Sequence, residues 1–146
     1  MECGWRKKNM KPKYRTIEHT ADIGLLAWGD SLADAFLNAG KGMSSIMVDL
    51  RTVAIKERLE ISVEEKGLEN LLFSWLNRLL YYFDTDGILF RQFEIKSFGN
   101  NYLVADCFGE KYNPLRHIIK IGVKSATFHH IMVDEKNNRV RVFLDV

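Results

Sequence analysis

Two segments of this 146-residue chain carry the apolar spacing of amphipathic helices, and they strongly limit the folds available to it. In residues 32–47 and 68–83, apolar side chains recur every three or four positions, which places them on one face of a helix. Ser31 precedes the first segment and Asp34 follows three residues later, a pattern typical of a helix N-terminus. The second helix is expected to end near the turn at 84–87. Each apolar stripe must be buried against other elements of the fold.

The segments around these helices alternate between apolar and polar residues and are predicted to be strands. Gly99-Asn100-Asn101 is typical of a hairpin turn, and Asn137-Asn138 separates the last two predicted strands. Strands grouped around two helices indicate an α+β fold with a mostly antiparallel or mixed sheet. No repeat or linker divides residues 13–146, which are predicted to form one domain. The predicted strands are 14–19, 23–28, 53–63, 89–97, 102–109, about 120–134, and 139–146.

Charge is distributed unevenly along the chain. Six basic residues and one acidic residue fall in positions 1–15, whereas the remainder carries 15 basic and 18 acidic residues. Residues 1–12 are therefore predicted to be a flexible basic extension, and the mildly acidic remainder disfavours direct RNA binding. The chain has two cysteines, no apolar run of membrane-spanning length and no secretory signal. These features favour a cytoplasmic protein.

Side chains suited to metal binding or proton transfer crowd the end of the first predicted strand. Glu18, His19 and Asp22 lie within five residues, and at the far end of the chain Asp145 precedes the C-terminal Val146. If the first and last strands are close, Asp22, Asp145 and the Val146 α-carboxylate would supply three oxygen donors, which suit Ca²⁺ or Mg²⁺. An added histidine would admit Zn²⁺ or Mn²⁺. A turn-capping aspartate and a buried, hydrogen-bonded histidine fit the same spacing.

The turn at Asn137-Asn138 suggests a register for the last two strands. A two-residue type I′ turn would pair residues whose numbers sum to 275. His130 would then lie opposite Asp145 and His129 opposite Val146, which puts a histidine pair beside the C-terminal carboxylates. A bulge or a one-residue slip would exchange the positions of the two histidines.

The usual motifs of self-sufficient enzymes are missing. The sequence has no phosphate-binding glycine loop, no CxxC or HExxH motif and no nucleophile elbow. Cys107 lies in the middle of a predicted strand, where it is expected to be a small core residue. His117 follows a predicted loop at 110–117 and has no evident partner. The chain is therefore predicted not to be an enzyme.

Residues 14–24, which read YRTIEHTADIG, resemble the N-terminal signature of the archease family. The resemblance extends in order and at the expected spacing over residues 13–146. Its other parts are the helix entry at 29–36, the 71–80 helix, Gly109-Glu110, residues 124–129 and the terminal Asp145-Val146.

This resemblance implies a small protein cofactor of the GTP-dependent RNA ligase that joins exons in tRNA splicing and acts in RNA repair. Such a cofactor accelerates guanylylation of the ligase histidine, permits multiple turnover and can broaden nucleotide use. The implied partner is the catalytic subunit of the ligase, with RNA reached only through it and no membrane involved. By position, Asp22, Asp145 and the Val146 carboxylate match the family's metal site, usually assigned to Ca²⁺, and Glu18, His19, Lys124 and His129 match polar positions near it.

Two functions from other classes are alternatives. A metal-dependent hydrolase with an Asp/His site would turn over substrate without any ligase. A chaperone-like or RNA-binding adaptor that uses the sheet surface would bind RNA alone in a salt-dependent manner.

Overall fold

Two antiparallel sheets and two long helices make up the part of the chain described by the computed structural model, residues 12–18 and 22–146. The predicted α+β class is confirmed. The predicted extension at 1–12 lies outside the described residues except for its last position, and His19 lies outside them too. The elements are β1 (Tyr14–Glu18), β2 (Asp22–Trp28), α1 (Leu32–Met47), β3 (Glu57–Glu64), α2 (Leu68–Asp86), β4 (Ile88–Phe98), β5 (Tyr102–Lys111), β6 (Ser125–Asp134) and β7 (Arg139–Asp145).

The start of α1 and the end of α2 lie at residues that satisfy free backbone groups. The Ser31 side chain accepts a hydrogen bond from the Asp34 N–H at 3.1 Å, as the sequence predicts for the start of α1. At the C-terminal end of α2, Gly87 takes a left-handed conformation with φ 68°, which allows its N–H to reach the carbonyls of the last turn. Because these two termini are set by local residues, sequence reasoning located them closely.

The last strand of the chain lies inside a sheet. One sheet has the strand order β1-β2-β7-β6, and the other has the order β3-β5-β4, with every neighbouring pair antiparallel. β7 therefore forms hydrogen bonds with β2 on one side and β6 on the other. This arrangement holds the C-terminal segment on both sides up to Asp145.

The main core joins both sheets and both helices, and a smaller cluster contains Val48, Val53 and Leu89. The largest fully buried side chain of the main core, Trp75 of α2, donates its indole N–H to the carbonyl oxygen of Phe36 in α1 at 2.9 Å. Trp75 also contacts Phe93 of β4 edge to face, with ring centroids 5.6 Å apart. Within the described residues, no helix is long and apolar enough to cross a membrane.

Two predicted strands begin later than the sequence indicates. The strand predicted from residue 53 begins at Glu57, because a short 3₁₀ helix (Leu50–Thr52) follows Asp49, whose side chain accepts from the Arg51 N–H. The strand predicted from about 120 begins at Ser125, because the Lys120 N–H donates to the Met47 carbonyl instead of to a strand. The predicted loop at 110–117 is also shifted, and it runs from residue 112 to residue 124.

Candidate functional site

Asp22 and Asp145 meet at one end of the four-stranded sheet. Asp22 is the first residue of β2, Asp145 is the last residue of β7, and the register pairs them directly. Directly opposite residues of an antiparallel pair have Cβ atoms about 4.5–5.5 Å apart on the same face. The fold thus brings together two of the acidic residues that the sequence singled out. Opposed carboxylates repel each other, so such a pair favours a bound cation, a shared proton or a basic partner.

The end of the chain is anchored beside this pair. The Lys124 N–H donates to the Asp145 carbonyl at 2.8 Å, and Ser125 of β6 lies opposite Asp145 on the side away from β2. Val146 follows as the next residue and is 36% exposed. Val146 therefore lies one residue beyond a tightly held position.

The donor chemistry at this end suits an oxygen-preferring cation. Within residues 12–18 and 22–146, no group of three or more His, Cys, Asp and Glu side chains is close enough to hold a metal ion. The register brings two acidic side chains together at this end, those of Asp22 and Asp145. Carboxylate oxygens completed by waters are a ligand set that Ca²⁺ accepts. These residues fit an open carboxylate site better than a closed cage of side chains.

The predicted register of the closing hairpin is wrong. Asp134 pairs with Arg139, so the turn contains the four residues 135–138, and only Asn138 of these has a positive φ (51°). A type I′ turn needs positive φ at both central residues. The Asp134 carboxylate stabilises the longer turn by accepting from the Asn137 backbone N–H at 3.3 Å and from the Arg139 side chain at 2.9 Å.

A bulge then moves the histidine pair away from the terminus. Residues 128–131 of β6 lie against a single residue of β7, because Thr127 pairs with Phe143 and Met132 pairs with Arg141. Ser125, and neither histidine, is therefore opposite Asp145.

His129 and His130 lie inside this bulge, both exposed, with ring centroids 3.9 Å apart. His130 has a φ of 54°, and its carbonyl accepts from the Arg141 side chain at 3.2 Å. The strand pairing does not bring these histidines next to the acidic pair.

A cleft opens next to Asp22. It has a volume of about 820 Å³ and lies between the first two strands, the second half of α1 and the segment before β6. A largely apolar cleft with a few charged groups is the usual form of a binding site. Its described lining includes Ile17, Ile23, Ile46, Ile121, Asp22 and Lys120.

Comparison with protein families assigns the chain to a known family. A family model described as "Archease protein family (MTH1598/TM1083)" matches residues 14–146. The chain belongs to the archease family. "Protein archease" of Sulfolobus acidocaldarius is 38% identical over 128 residues, which span 86% of this chain and 91% of that protein. "Protein archease" of Aeropyrum pernix is 33% identical and is covered over 100% of both chains.

Solved structures agree with this assignment. Protein 1598 of Methanobacterium thermoautotrophicum has a solution structure that matches with a TM-score of 0.76 at 29% identity, over 93% of this chain and 100% of that chain. The crystal structure of a Thermotoga maritima archease, described there as a possible chaperone, matches with a TM-score of 0.58. At 19% identity, over 90% of this chain and 96% of that one, the second match shows the fold alone.

Four residues match polar positions near the metal site of the archease family, and the structure describes three of them, each in a different environment. Glu18 ends β1, where its backbone pairs with Ile23. Lys124 adjoins Asp145 through its backbone and has an exposed side chain. His129 lies in the bulge, and the fourth position, His19, is outside the described residues.

A buried Glu110–His117 pair was not anticipated by sequence reasoning, which left His117 without a partner. Glu110 is 2% exposed and His117 is 1% exposed, and His117 Nε2 lies 2.8 Å from Glu110 Oε2. The same oxygen accepts from the Ala54 N–H at 2.8 Å, while Arg116 and Lys56 contact Glu110 Oε1. Burial alone raises the pKa of Glu110, but the hydrogen bonds from Ala54, His117 and Arg116 outweigh it and lower that pKa to about 2.

The hydrogen bonds of His117 define its protonation. Nδ1 accepts from the Asn113 N–H at 2.9 Å, so the ring proton is on Nε2, which faces Glu110 and the Thr52 carbonyl at 3.1 Å. The His117 ring thus joins the segment after β5 to the 3₁₀ turn. The only feature of the sequence that pointed to Glu110 was the Gly109-Glu110 pair, which is part of the archease resemblance. Strand alternation puts Glu110 on the outer face of β5, where only tertiary structure shows that it is covered.

Proposed function

We propose that this protein is a non-catalytic, metal-binding cofactor that activates the GTP-dependent tRNA-splicing RNA ligase. It promotes guanylylation of the ligase histidine, permits multiple turnover and can broaden the nucleotides that the ligase uses. The observation that supports this proposal most directly is the pairing of Asp22 with Asp145, one residue before the C-terminus. The archease family membership supports the choice of partner.

The proposed site has the carboxylates of Asp22, Asp145 and Val146 as its ligands for a divalent cation, with Ca²⁺ as the first choice and Mg²⁺, Mn²⁺ or Zn²⁺ as alternatives. A divalent cation supplies charge that bridges and neutralises nucleotide phosphate oxygens. The contribution of the protein is to hold oxygen donors in fixed positions at the end of a sheet. The central location of β7 serves this purpose, because both of its edges are hydrogen-bonded up to Asp145.

The covalent chemistry is assigned to the catalytic subunit of the ligase. The one thiol among the described residues, Cys107, is fully buried in β5, and burial raises its pKa, so it is not a thiolate nucleophile. RNA is reached only through the ligase, in the cytoplasm.

The test compares Asp22→Asn and Asp145→Asn with Asp84→Asn, which removes a carboxylate from an exposed position of α2. Transfer of radiolabelled guanylate to the ligase histidine is measured together with joining of RNA at excess substrate. We expect the two site variants to lose stimulation while their thermal unfolding stays cooperative, and the control to behave as wild type. Normal multiple turnover with Asp22→Asn would refute the proposal.

Turnover by the isolated protein, without ligase, would instead favour the hydrolase alternative. A salt-dependent complex with RNA alone would favour the adaptor alternative.

A further inference from the structure

The loop between β5 and β6, residues 112–124, displays aliphatic side chains to solvent. Leu115 is 94% exposed, Ile118 is 77% exposed and Ile121 is 38% exposed. Single exposed apolar residues are common on proteins, but clustered ones mark interaction surfaces. Three exposed aliphatic residues within seven positions therefore require an explanation beyond the stability of the monomer.

The 112–124 loop is held at several points along its length. His117, which lies between Leu115 and Ile118, is buried against Glu110. The Tyr112 N–H donates to the Gly87 carbonyl at 2.7 Å, and the Lys120 N–H donates to the Met47 carbonyl at 2.8 Å. The two most exposed aliphatic side chains thus flank a buried anchor. A preorganised backbone lowers the entropy lost when such side chains are covered by a partner.

The charged residues of this loop's own sequence have one sign. Residues 111–133 contain four basic residues, Lys111, Arg116, Lys120 and Lys124, and no aspartate or glutamate. Of these four, Arg116 alone forms an ion pair with a carboxylate within the part of the chain that the structure describes. Lys111, Lys120 and Lys124 are exposed and lie before, within and at the end of the segment that carries the aliphatic residues. An apolar centre with a charged rim is the usual anatomy of a protein–protein interface.

The loop also borders the acidic pair. Lys120 and Ile121 line the 820 Å³ cleft whose lining includes Asp22. A partner that covers the loop and fills this cleft would therefore lie against the end of the sheet where Asp22 faces Asp145.

We infer that the 112–124 loop is the docking element through which this protein holds its partner, and that the partner presents a protein surface with an apolar centre ringed by carboxylates. Naming that partner as the RNA ligase rests on the proposed function. A protein fits better than RNA because the most exposed side chains are aliphatic. Single-stranded RNA is held mainly by aromatic side chains that stack on its bases.

The first experiment measures the affinity of the purified ligase for the Leu115→Ser/Ile118→Ser double variant by isothermal titration calorimetry. Loss of two central apolar anchors is expected to raise Kd about tenfold or more. Guanylylation should recover when this variant is added at saturating concentration, because Asp22 and Asp145 are intact. Tyr102→Ser is the matched control: it removes an exposed apolar side chain, 42% exposed, at the opposite end of β5, and it should leave Kd unchanged.

A charge-reversal pair tests the rim. Lys111→Glu is expected to weaken ligase binding and to reduce its salt dependence, whereas Lys136→Glu, in the turn at the far end of β7, should do neither. Wild-type Kd for the double variant would overturn the inference. Weakened RNA binding together with unchanged ligase binding would overturn it too, in favour of a nucleic-acid surface.

These outcomes are separable from those of the proposed function. Asp22→Asn is expected to bind the ligase with wild-type affinity and fail to activate it, whereas the loop variant binds weakly and activates at saturation. If Asp22→Asn activates the ligase normally, the proposed function fails. The inference that the 112–124 loop is the docking element still holds in that case if the Leu115→Ser/Ile118→Ser variant raises Kd.

Discussion

Asp22 and Asp145 occupy directly opposite positions on β2 and β7, although they come from the two ends of the chain. Like charges placed directly across two strands destabilise the pair. Because β7 also pairs with β6, the strand end cannot move away without breaking hydrogen bonds on both sides. The folded state therefore keeps these two acidic residues opposite each other, and a cation or a basic partner would stabilise such a pair.

The free C-terminus is predicted to be part of the site. Adding Gly-Ser after Val146 converts the terminal carboxylate into a neutral amide, so Ca²⁺ affinity should fall about tenfold or more, as expected for the loss of one charged oxygen ligand. Calorimetric titration of Ca²⁺ measures this, and guanylylation assays follow the functional effect. The same two residues added before Met1 serve as the control. Unchanged Ca²⁺ affinity in the extended chain would exclude the terminal carboxylate as a ligand.

The Glu110–His117 pair predicts acid sensitivity. The pKa of Glu110 is lowered in the folded protein from 4.5 to about 2, so its ionised form stabilises the fold. That stabilisation is fully present above the unfolded pKa and is lost as the pH falls from about 4.5 towards 2. Glu110→Gln, whose side chain has no charge to lose, should show a flatter dependence of unfolding free energy on pH in this range. Urea unfolding at pH 6, 4 and 3 measures the slope.

At neutral pH the same substitution should cost about 2–4 kcal/mol, since one side-chain oxygen that accepts hydrogen bonds is replaced by an amide NH2 group, which only donates them. Glu60→Gln is the comparison, because Glu60 pairs with Lys96 on the surface with both side chains 48% exposed. Removal of that pair should change stability little. An equal loss of unfolding free energy in both variants would mean that the buried ion pairs of Glu110 stabilise the fold no more than an exposed ion pair does.

The helices could be located from sequence because their signals are local. Ser31 accepts from Asp34, and Gly87 supplies a left-handed residue at the end of α2, both within one turn of the helices they limit. The strand predicted from about 120 began too early because the competing contact, Lys120 with Met47, joins residues distant in the chain. Apolar alternation alone does not distinguish a strand from an extended loop that packs on a helix.

The candidate site was only partly predictable. Spacing made Asp22 and Asp145 candidates, but their proximity followed only from the pairing of β2 with β7. The histidine register was wrong because it assumed a turn type, whereas the Asp134 side chain stabilises a longer turn. The partner of His117 could not be found because Glu110 is covered by segments remote in sequence.

The hydrogen bond between the Trp75 indole of α2 and α1 is predicted to contribute to the stability of the fold. Trp75→Phe removes the 2.9 Å hydrogen bond to the Phe36 carbonyl and leaves unfilled volume in the core, so the unfolding free energy should fall by about 2–4 kcal/mol. Trp28→Phe, at a half-buried position of β2, should cost less. Equilibrium denaturation of both variants tests the difference. Equal losses would show that the helix–helix hydrogen bond contributes little.

Gly109 and Gly122 provide the sharpest test of local backbone packing. A Cβ atom at Gly109 would lie 1.8 Å from the Leu89 carbonyl oxygen, and this backbone atom cannot move away without breaking the pairing of β4 with β5. Gly109→Ala should therefore lower stability by about 3 kcal/mol or more, and it should also displace the neighbouring Glu110. A Cβ atom at Gly122 meets nothing within 4 Å, so Gly122→Ala should leave stability within about 1 kcal/mol of wild type. Thermal and urea unfolding distinguish the two variants, and a stable, cooperatively folding Gly109→Ala protein would contradict the close approach of these strands.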